Sequence, residues 1–409
     1  MALVASSKGK DFNTWLAARD FVLTCRQTLL ESAACMSSEQ AEELFAEVER
    51  ELAGREALHA DELAHLRLMI AEAATAGGPD LLHPLVDRFY TACYDFFGRN
   101  RSAIAFFHLS AEFLRAASTT IVGYARQQTG CADLPVALIA LNSGGRREFS
   151  PLHRLQLLLV HGGDAPEPAV MERFGRVLEE AFQAAGLSLD GQVTPGRLEW
   201  RGSMRVWKQR VAELLERNRS RYLNDLTRLA DQDALFSDQG LADEFYSSCV
   251  QALEGSRSAH AFLVSQMMGL STGIGMMGGI RLARRGAQRG MFGLLEHALL
   301  PLSSAIGSLA LLKGVREVET TQRVRKLLAR SEIDVEMAER LLEAWHFFNE
   351  LRLQRETACL ADRAYEAAGY FDVQASPAEV QERFKDFLET VATLQRHVGI
   401  AFSGLMEQV

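Results

Sequence analysis

The 409-residue sequence predicts an α+β protein, mostly α, in which a small mixed-sheet domain follows a helical amino-terminal region and precedes a helical bundle. Three observations carry this. Apolar residues recur at helical spacing over most of the chain. Two short apolar runs, "PVALIAL" and "RLQLLLV", interrupt that spacing between Pro135 and Val160 and end in glycine turns, as strands buried on both faces do. Beyond Trp200 the helical period returns and continues to the end. The implied divisions are 1–128 (helical), 129–208 (α/β) and 209–409 (helical).

In "MSSEQAEELFAEVERELAG", Ser37 and Gln40 form a capping box, Leu44, Phe45, Val48 and Leu52 share a face, and Gly54 ends the helix. "AGGPD" (Ala76 to Asp80) breaks the pattern before two further helical segments, the second ending at Gly130. Their aromatic residues, Phe89, Tyr90, Tyr94, Phe96, Phe97, Phe106 and Phe107, form a core stripe, with a ligand pocket as the alternative. The two strands follow, then a helix between Glu167 and Gly186, then a further short strand in "LSLDGQVTP". The glycine- and methionine-rich stretch Ser265 to Glu296 reads as an irregular loop, and its Arg281, Arg284, Arg285 and Arg289 are candidates for a secondary anion site. The Met267–Met268 and Met276–Met277 pairs are adaptable apolar surface. Two helices come next, the second capped by Asp334 and presenting Ala338, Leu341, Leu342, Trp345, Phe348 and Leu351 on one side.

A net charge of −9 and a pI near 5.7 give no global electrostatic case for nucleic acid or an anionic membrane, so any basic site is local. Six cysteines without a CxxC pair speak against zinc and against a disulfide framework, and predict buried reduced thiols. The amino-terminal residues lack an apolar signal region, and no uninterrupted apolar run reaches about 18 residues, which predicts a cytoplasmic protein. His108, His153, His161, His260, His297, His346 and His397 fall at no metal-ligand spacing and are read as structural.

The stretch "LNSGGRREFSPLHRLQLLLV" (Leu141 to Val160) has the form of a phosphate-handling loop, with Ser143, Gly144 and Gly145 at its turn. Together with the order of the parts, it resembles the nucleotidyltransferases related to the amino-terminal half of protein-PII uridylyltransferase. That family carries a loop G-S-x-G-R-x-E and then D-x-D opening the next strand. Ser143, Gly145, Arg146 and Glu148 match the loop, while Asn142 replaces its first glycine. Trp200, Ser203 and Trp207 match the family's W-x-x-S-x-x-x-W, and "GLLEHALLPLSSAIGSLALLKGVREVETTQRVRKLL" resembles its helical substrate-binding domain. The likeness runs from about Phe107 to Phe402.

The resemblance implies two carboxylates, at i and i+2 on one face of a strand, that hold divalent metal against a triphosphate. Those positions are Arg154 and Gln156 here, a fixed cation and a neutral amide, so two-metal transfer chemistry is expected to be absent and no catalytic residue is assigned. Arg154 would stand where the metal would, against Glu148 or a phosphate. Ser143, Gly144, Gly145, Arg146 and Glu148 remain nucleotide-binding candidates, and the opposing reading is a glycine turn kept for folding. The expected function is a catalytically degenerate regulatory or scaffolding module without metal or other cofactor. A protein is its expected partner; a nucleotide and a second copy of the chain are further candidates, and nucleic acid and membrane are not expected. The alternative is an active magnesium-dependent transferase, in which Asp164, Asp190 and Glu148 would converge on the metal.

Overall fold

A computed structural model describes residues 59–162, 168–216, 228–275, 278–362 and 367–407. The capping box at Ser37 and Gln40, the helix to Gly54, Cys25, Cys35, Asp164, Met276 and Met277 lie outside these residues. The chain divides into two compact units, one from Asp61–Asp95 and Ala105–Ala259, the other including Phe96–Ile104 and His260–Val409.

Helices α1 (Ala60–Thr75), α2 (Pro79–Asn100) and α3 (Ala103–Thr129) end where the sequence reading broke them, the last at Gly130 with φ +71°. The aromatic stripe is core: all seven residues are buried, and Phe89 stacks on Phe113 with ring centroids 4.0 Å apart. Tyr90 meets Phe149 edge-on, and Ser110 Oγ donates to the Phe149 carbonyl at 2.9 Å, so this stripe anchors the residue that leaves the glycine loop.

The first unit holds a four-stranded mixed sheet, ordered β3-β2-β1-β4, from β1 (Val136–Leu141), β2 (Gln156–His161), β3 (Arg201–Ser203) and β4 (Gln232–Ser237). Strand β1 pairs antiparallel with both β2 and β4, and β2 runs parallel to β3. Every residue of β1, and every residue of β2 after Gln156, is buried, as continuous apolar runs require. The predicted helix is α4 (Pro168–Ala184), whose Gly175 lets the Pro195 carbonyl approach to 2.2 Å from where a Cβ would stand. Helices α5 (Met204–Glu216) and α6 (Leu241–Glu254) complete the unit, and α6 packs on β1, β2 and β4.

Two expectations need correction. "LSLDGQVTP" makes a single bridge, Leu189 to Leu155, because Asp190 turns the chain by accepting from the Gln192 N–H at 2.8 Å and, through its carbonyl, from the Val193 N–H at 3.2 Å. The sheet also takes its fourth strand from beyond residue 208, since β4 pairs along β1 from Ala137 to Leu141.

In the second unit, α7 (Arg257–Gly269) leads through an irregular stretch to β5 (Phe292–Gly293), which pairs with β6 (Tyr370–Phe371). A π-turn (Leu295–Leu299), α8 (Leu300–Leu312), α9 (Thr320–Ala329), α10 (Val335–Asp362) and α11 (Ala378–Glu407) form the bundle. Asp334 caps α10 by accepting from the Met337 N–H at 2.7 Å, and all six residues of the predicted face are buried. Leu295–Leu312 is long and apolar enough, at mean hydropathy 1.4, to cross a membrane; half of it is buried, and α8 packs against α9 and α11 in the bundle. Cys93, Cys131, Cys249 and Cys359 are buried free thiols, and burial pushes Cys249 up to about 12.

Candidate functional site

The loop opens where β1 ends, at Leu141 opposite Gln156. Asn142 follows at φ 53°, in the left-handed region that asparagine tolerates better than most residues, so it can stand where the family's loop has glycine. Residues Asn142–Gly145 form one helical turn rather than an open glycine loop. Its hydrogen bonds run from Arg146 N–H to the Asn142 carbonyl (2.8 Å), Arg147 N–H to Gly144 (3.1 Å) and Glu148 N–H to Ser143 (2.7 Å). The Asn142 N–H donates to the Asp231 carbonyl at 2.9 Å and fastens the turn to the entry of β4.

That closeness explains one glycine. A Cβ on Gly145 would stand 2.2 Å from the Asp231 carbonyl oxygen and 2.8 Å from Gln232 Cα, backbone atoms that cannot swing aside. On Gly144 it would meet Ala140 Cβ at 3.1 Å, which is tight but adjustable. Gly145 is therefore required by packing whether or not a ligand comes near. Ser143 is half-buried beside it.

The arginines after the turn point inward. Arg146 donates through Nε to Glu148 (2.9 Å) and through Nη1 to Asp231 (2.6 Å), with its side chain only 11% exposed. Burial alone would lower its pKa, but the charges and hydrogen bonds of Glu148 and Asp231 outweigh this and raise it, so the guanidinium is a permanent cation. Arg147, held at φ 59°, grips Asp233 through both Nε (3.0 Å) and Nη2 (3.1 Å), and Arg115 of α3 reaches the same carboxylate at 2.5 Å. Asp231 and Asp233 are thus a D-x-D pair opening a strand, but the strand is β4 and the cations facing it are guanidinium groups. The sequence reading missed both residues because it sought the pair just after the loop, whereas "DQDALF" lies some 80 residues on; its D-x-D ahead of a short apolar run was the available signal.

The two substituted positions diverge. Arg154 is exposed and makes no ion pair among the described residues, so its expected pairing with Glu148 is replaced by the Arg146–Glu148 pair. A residue beside the start of a strand has solvent to point into, whereas Arg146 is enclosed between two acids. Gln156 sits at the mouth of the loop and bridges it: its Oε1 accepts from Asn142 Nδ2 at 2.5 Å, and its Nε2 donates to Asp190 Oδ2 at 2.7 Å. Burial would push the Asp190 carboxyl up, but the Gln192 N–H, the Gln156 amide, the Val193 N–H and the charge of Arg228 hold it below the usual range.

Of the three carboxylates that the alternative reading would bring to a metal, Glu148 and Asp190 each have a partner within the chain. Glu148 is bound to Arg146, Asp190 to Gln156, and Asp164 is outside the described residues. Among the described residues, no group of three or more His, Cys, Asp or Glu side chains is disposed to hold a metal ion.

The tryptophan motif is architectural. Ser203 Oγ accepts from the Val206 N–H (3.3 Å) at the start of α5, Trp207 Nε1 donates to the Leu159 carbonyl of β2 (3.0 Å), and Trp200 lies 6.4 Å from Trp207. In the helical unit, Arg281, Arg284, Arg285 and Arg289 are all exposed. His161 is buried, and burial lowers its pKa.

Residues 87–221 match the family described as "Putative nucleotidyltransferase DUF294", and residues 257–402 match "Putative nucleotidyltransferase substrate binding domain". The first covers the loop, the sheet through β3 and the tryptophan motif; the second covers the bundle. No curated protein matches the chain.

Proposed function

Because the chain belongs to this putative nucleotidyltransferase family, we propose that it is a catalytically degenerate member acting as a regulatory or scaffolding module through protein contacts. One observation carries the reading: the carboxylates around the loop already have partners within the chain. Glu148 and Asp231 share Arg146, Asp233 holds Arg147 and Arg115, and Asp190 holds the Gln156 amide. A divalent ion entering here would have to displace buried, charge-assisted hydrogen bonds, and would find arginine and glutamine at the positions where the family resemblance implies its ligands. Without that ion the triphosphate charge goes unneutralised, which removes several kcal/mol of transition-state stabilisation, or roughly three orders of magnitude in rate.

A relation to protein-PII uridylyltransferase, a role in signal transduction, a cytoplasmic location and retained nucleotide binding at Ser143 to Arg146 belong to the same proposal. A protein partner is favoured over metal or nucleic acid. Titration calorimetry with ATP and UTP, with and without magnesium, tests it: magnesium-dependent binding, together with transfer of nucleotide to a protein or small molecule, would overturn it.

A second reading, an active transferase with displaced carboxylates, draws support from Asp231 and Asp233 beside the loop. It requires Arg146 and Arg147 to release them, and Asp233→Asn would then abolish transfer.

A further inference from the structure

From the helical unit we infer a docking surface for an acidic protein segment, formed by the arginine hairpin between Ala283 and Gly290 with Arg281 at its base. The inference rests on the reading of the protein as a module that works through protein contacts, and it supplies the chemistry of the partner.

The first support is charge placement. From Gly255 to Leu295 the chain contains no aspartate or glutamate, although at 53 acids in 409 residues roughly five would be expected in a stretch of that length. Its cations are Arg257, Arg281, Arg284, Arg285 and Arg289, without a single lysine. In a chain of net charge −9 this is a concentrated reversal of sign.

The second support is structural. Some exposed arginines elsewhere find acids, as Arg88 does with Glu72 and Arg340 with Asp386, and those that do not, such as Arg154, stand singly in the sequence. Arg284, Arg285 and Arg289 are exposed and make no ion pair among the described residues; Arg281 reaches Ser271 Oγ at 3.5 Å. Yet the backbone carrying them is well tied. Ala283 N–H donates to the Met291 carbonyl (2.8 Å), Gly290 N–H to Ala283 (2.9 Å), Arg289 N–H to Gly286 (3.2 Å) and Arg281 N–H to Gly273 (2.6 Å). Gly286 and Gly290 supply the positive φ angles, +80° and +86°, that close the turn. Closure at Ala283 and Gly290 keeps the Cα atoms of the three tip arginines within about 13 Å of one another by chain reach. The tip therefore gathers three guanidinium groups on one short turn with no acid in the surrounding segment, and an anionic partner supplies the missing complement.

The chemistry selects the partner. Guanidinium groups take carboxylates in two-pronged hydrogen bonds, which lysine cannot do. The tip, Ala283 to Gly290, has no aromatic side chain on which a base could stack, and the acidic chain as a whole repels a long polyanion, which disfavours nucleic acid. Exposed side chains on a turn suit an extended acidic segment better than a free nucleotide, which binds in enclosed, largely apolar clefts.

The test uses the full chain and a fluorescent deca-glutamate peptide, titrated at low and at physiological salt. Arg284→Ala/Arg285→Ala/Arg289→Ala should weaken binding at least tenfold, whereas a charge-matched control, Arg67→Ala/Arg176→Ala/Arg205→Ala, should weaken it less than threefold. The three arginines replaced by lysine should fall between, because charge is kept and the fork is lost. These tip residues are exposed, and unchanged melting curves will confirm that the variants fold. Equal losses in the hairpin and control variants, or no loss in either, would overturn the proposal. So would a single-stranded oligonucleotide that binds more tightly than the peptide with the same hairpin dependence. A magnesium-dependent transferase activity in the same preparations would refute the degenerate reading while leaving the hairpin result intact, so the two failures are distinguishable.

Discussion

Replacing Gly145 by alanine separates a glycine kept for a ligand from one kept for packing. Gly145 lies in a helical turn without a positive φ, so alanine is conformationally acceptable there and, with room available, would stabilise the protein by about 0.4–1 kcal/mol through the unfolded chain. There is no room: the new methyl would stand 2.2 Å from the Asp231 carbonyl oxygen and 2.5 Å from its carbon. The turn must move away from β4, at an overpacking cost of about 1–3 kcal/mol. That movement also stretches the Asn142 N–H bond to Asp231 and the Arg146–Asp231 pair, each worth about 1–2 kcal/mol. The expected net loss is about 2–4 kcal/mol, which with a urea slope of about 2–3 kcal/mol per molar lowers the unfolding midpoint by roughly 1 M. Gly144→Ala, whose nearest contact is 3.1 Å, is the internal control and should cost less than about 1 kcal/mol. Urea unfolding followed by far-ultraviolet circular dichroism measures both. If Gly145→Ala is as stable as Gly144→Ala, or more stable than the parent, the packing argument fails.

Other outcomes follow from the same contacts. Arg146→Ala leaves Glu148 and Asp231 facing each other without their cation and should cost about 3–5 kcal/mol in urea unfolding; if a nucleotide ligand is demonstrated and its affinity is unchanged in a folded Arg146→Lys variant, the role of Arg146 in binding is refuted. Gln156→Leu removes the amide joining Asn142 to Asp190 and should cost about 1–3 kcal/mol, without altering any magnesium dependence of nucleotide binding. His161 has a folded-state pKa below its unfolded value, so the folded protein binds fewer protons. Its contribution to stability is complete above about pH 6.5 and is lost as pH falls through the depressed folded value. His161→Gln should flatten the acid limb of stability against pH over that window, and an unchanged slope would exclude the residue. Trp207→Phe forfeits the bond to the Leu159 carbonyl and should lower stability by about 1–2 kcal/mol in thermal or urea unfolding.

Much of the fold was legible because its signals are local. The runs Val136–Leu141 and Leu157–Val160 read as strands buried on both faces from their apolar continuity, and the helix after Asp334 announced its cap and its buried face in its own residues. The element at "LSLDGQVTP" was misread because Asp190 spends its hydrogen bonds on a turn, a choice no apolar count reveals. Strand β4 was missed because its pairing with β1 joins residues nearly a hundred positions apart.

The candidate site divides in the same way. By itself, the sequence determined that residues 154 and 156 are an arginine and a glutamine and not carboxylates, since residue identity alone decides what can ligate a metal. Only the tertiary structure decided what the remaining charges do: it brought Asp231 and Asp233 against the loop, turned Arg146 and Arg147 onto them, and left Arg154 in solvent. The physical reason is that electrostatic partnership depends on distance and burial in three dimensions, and residues 146 and 231 become neighbours only when β4 pairs beside β1.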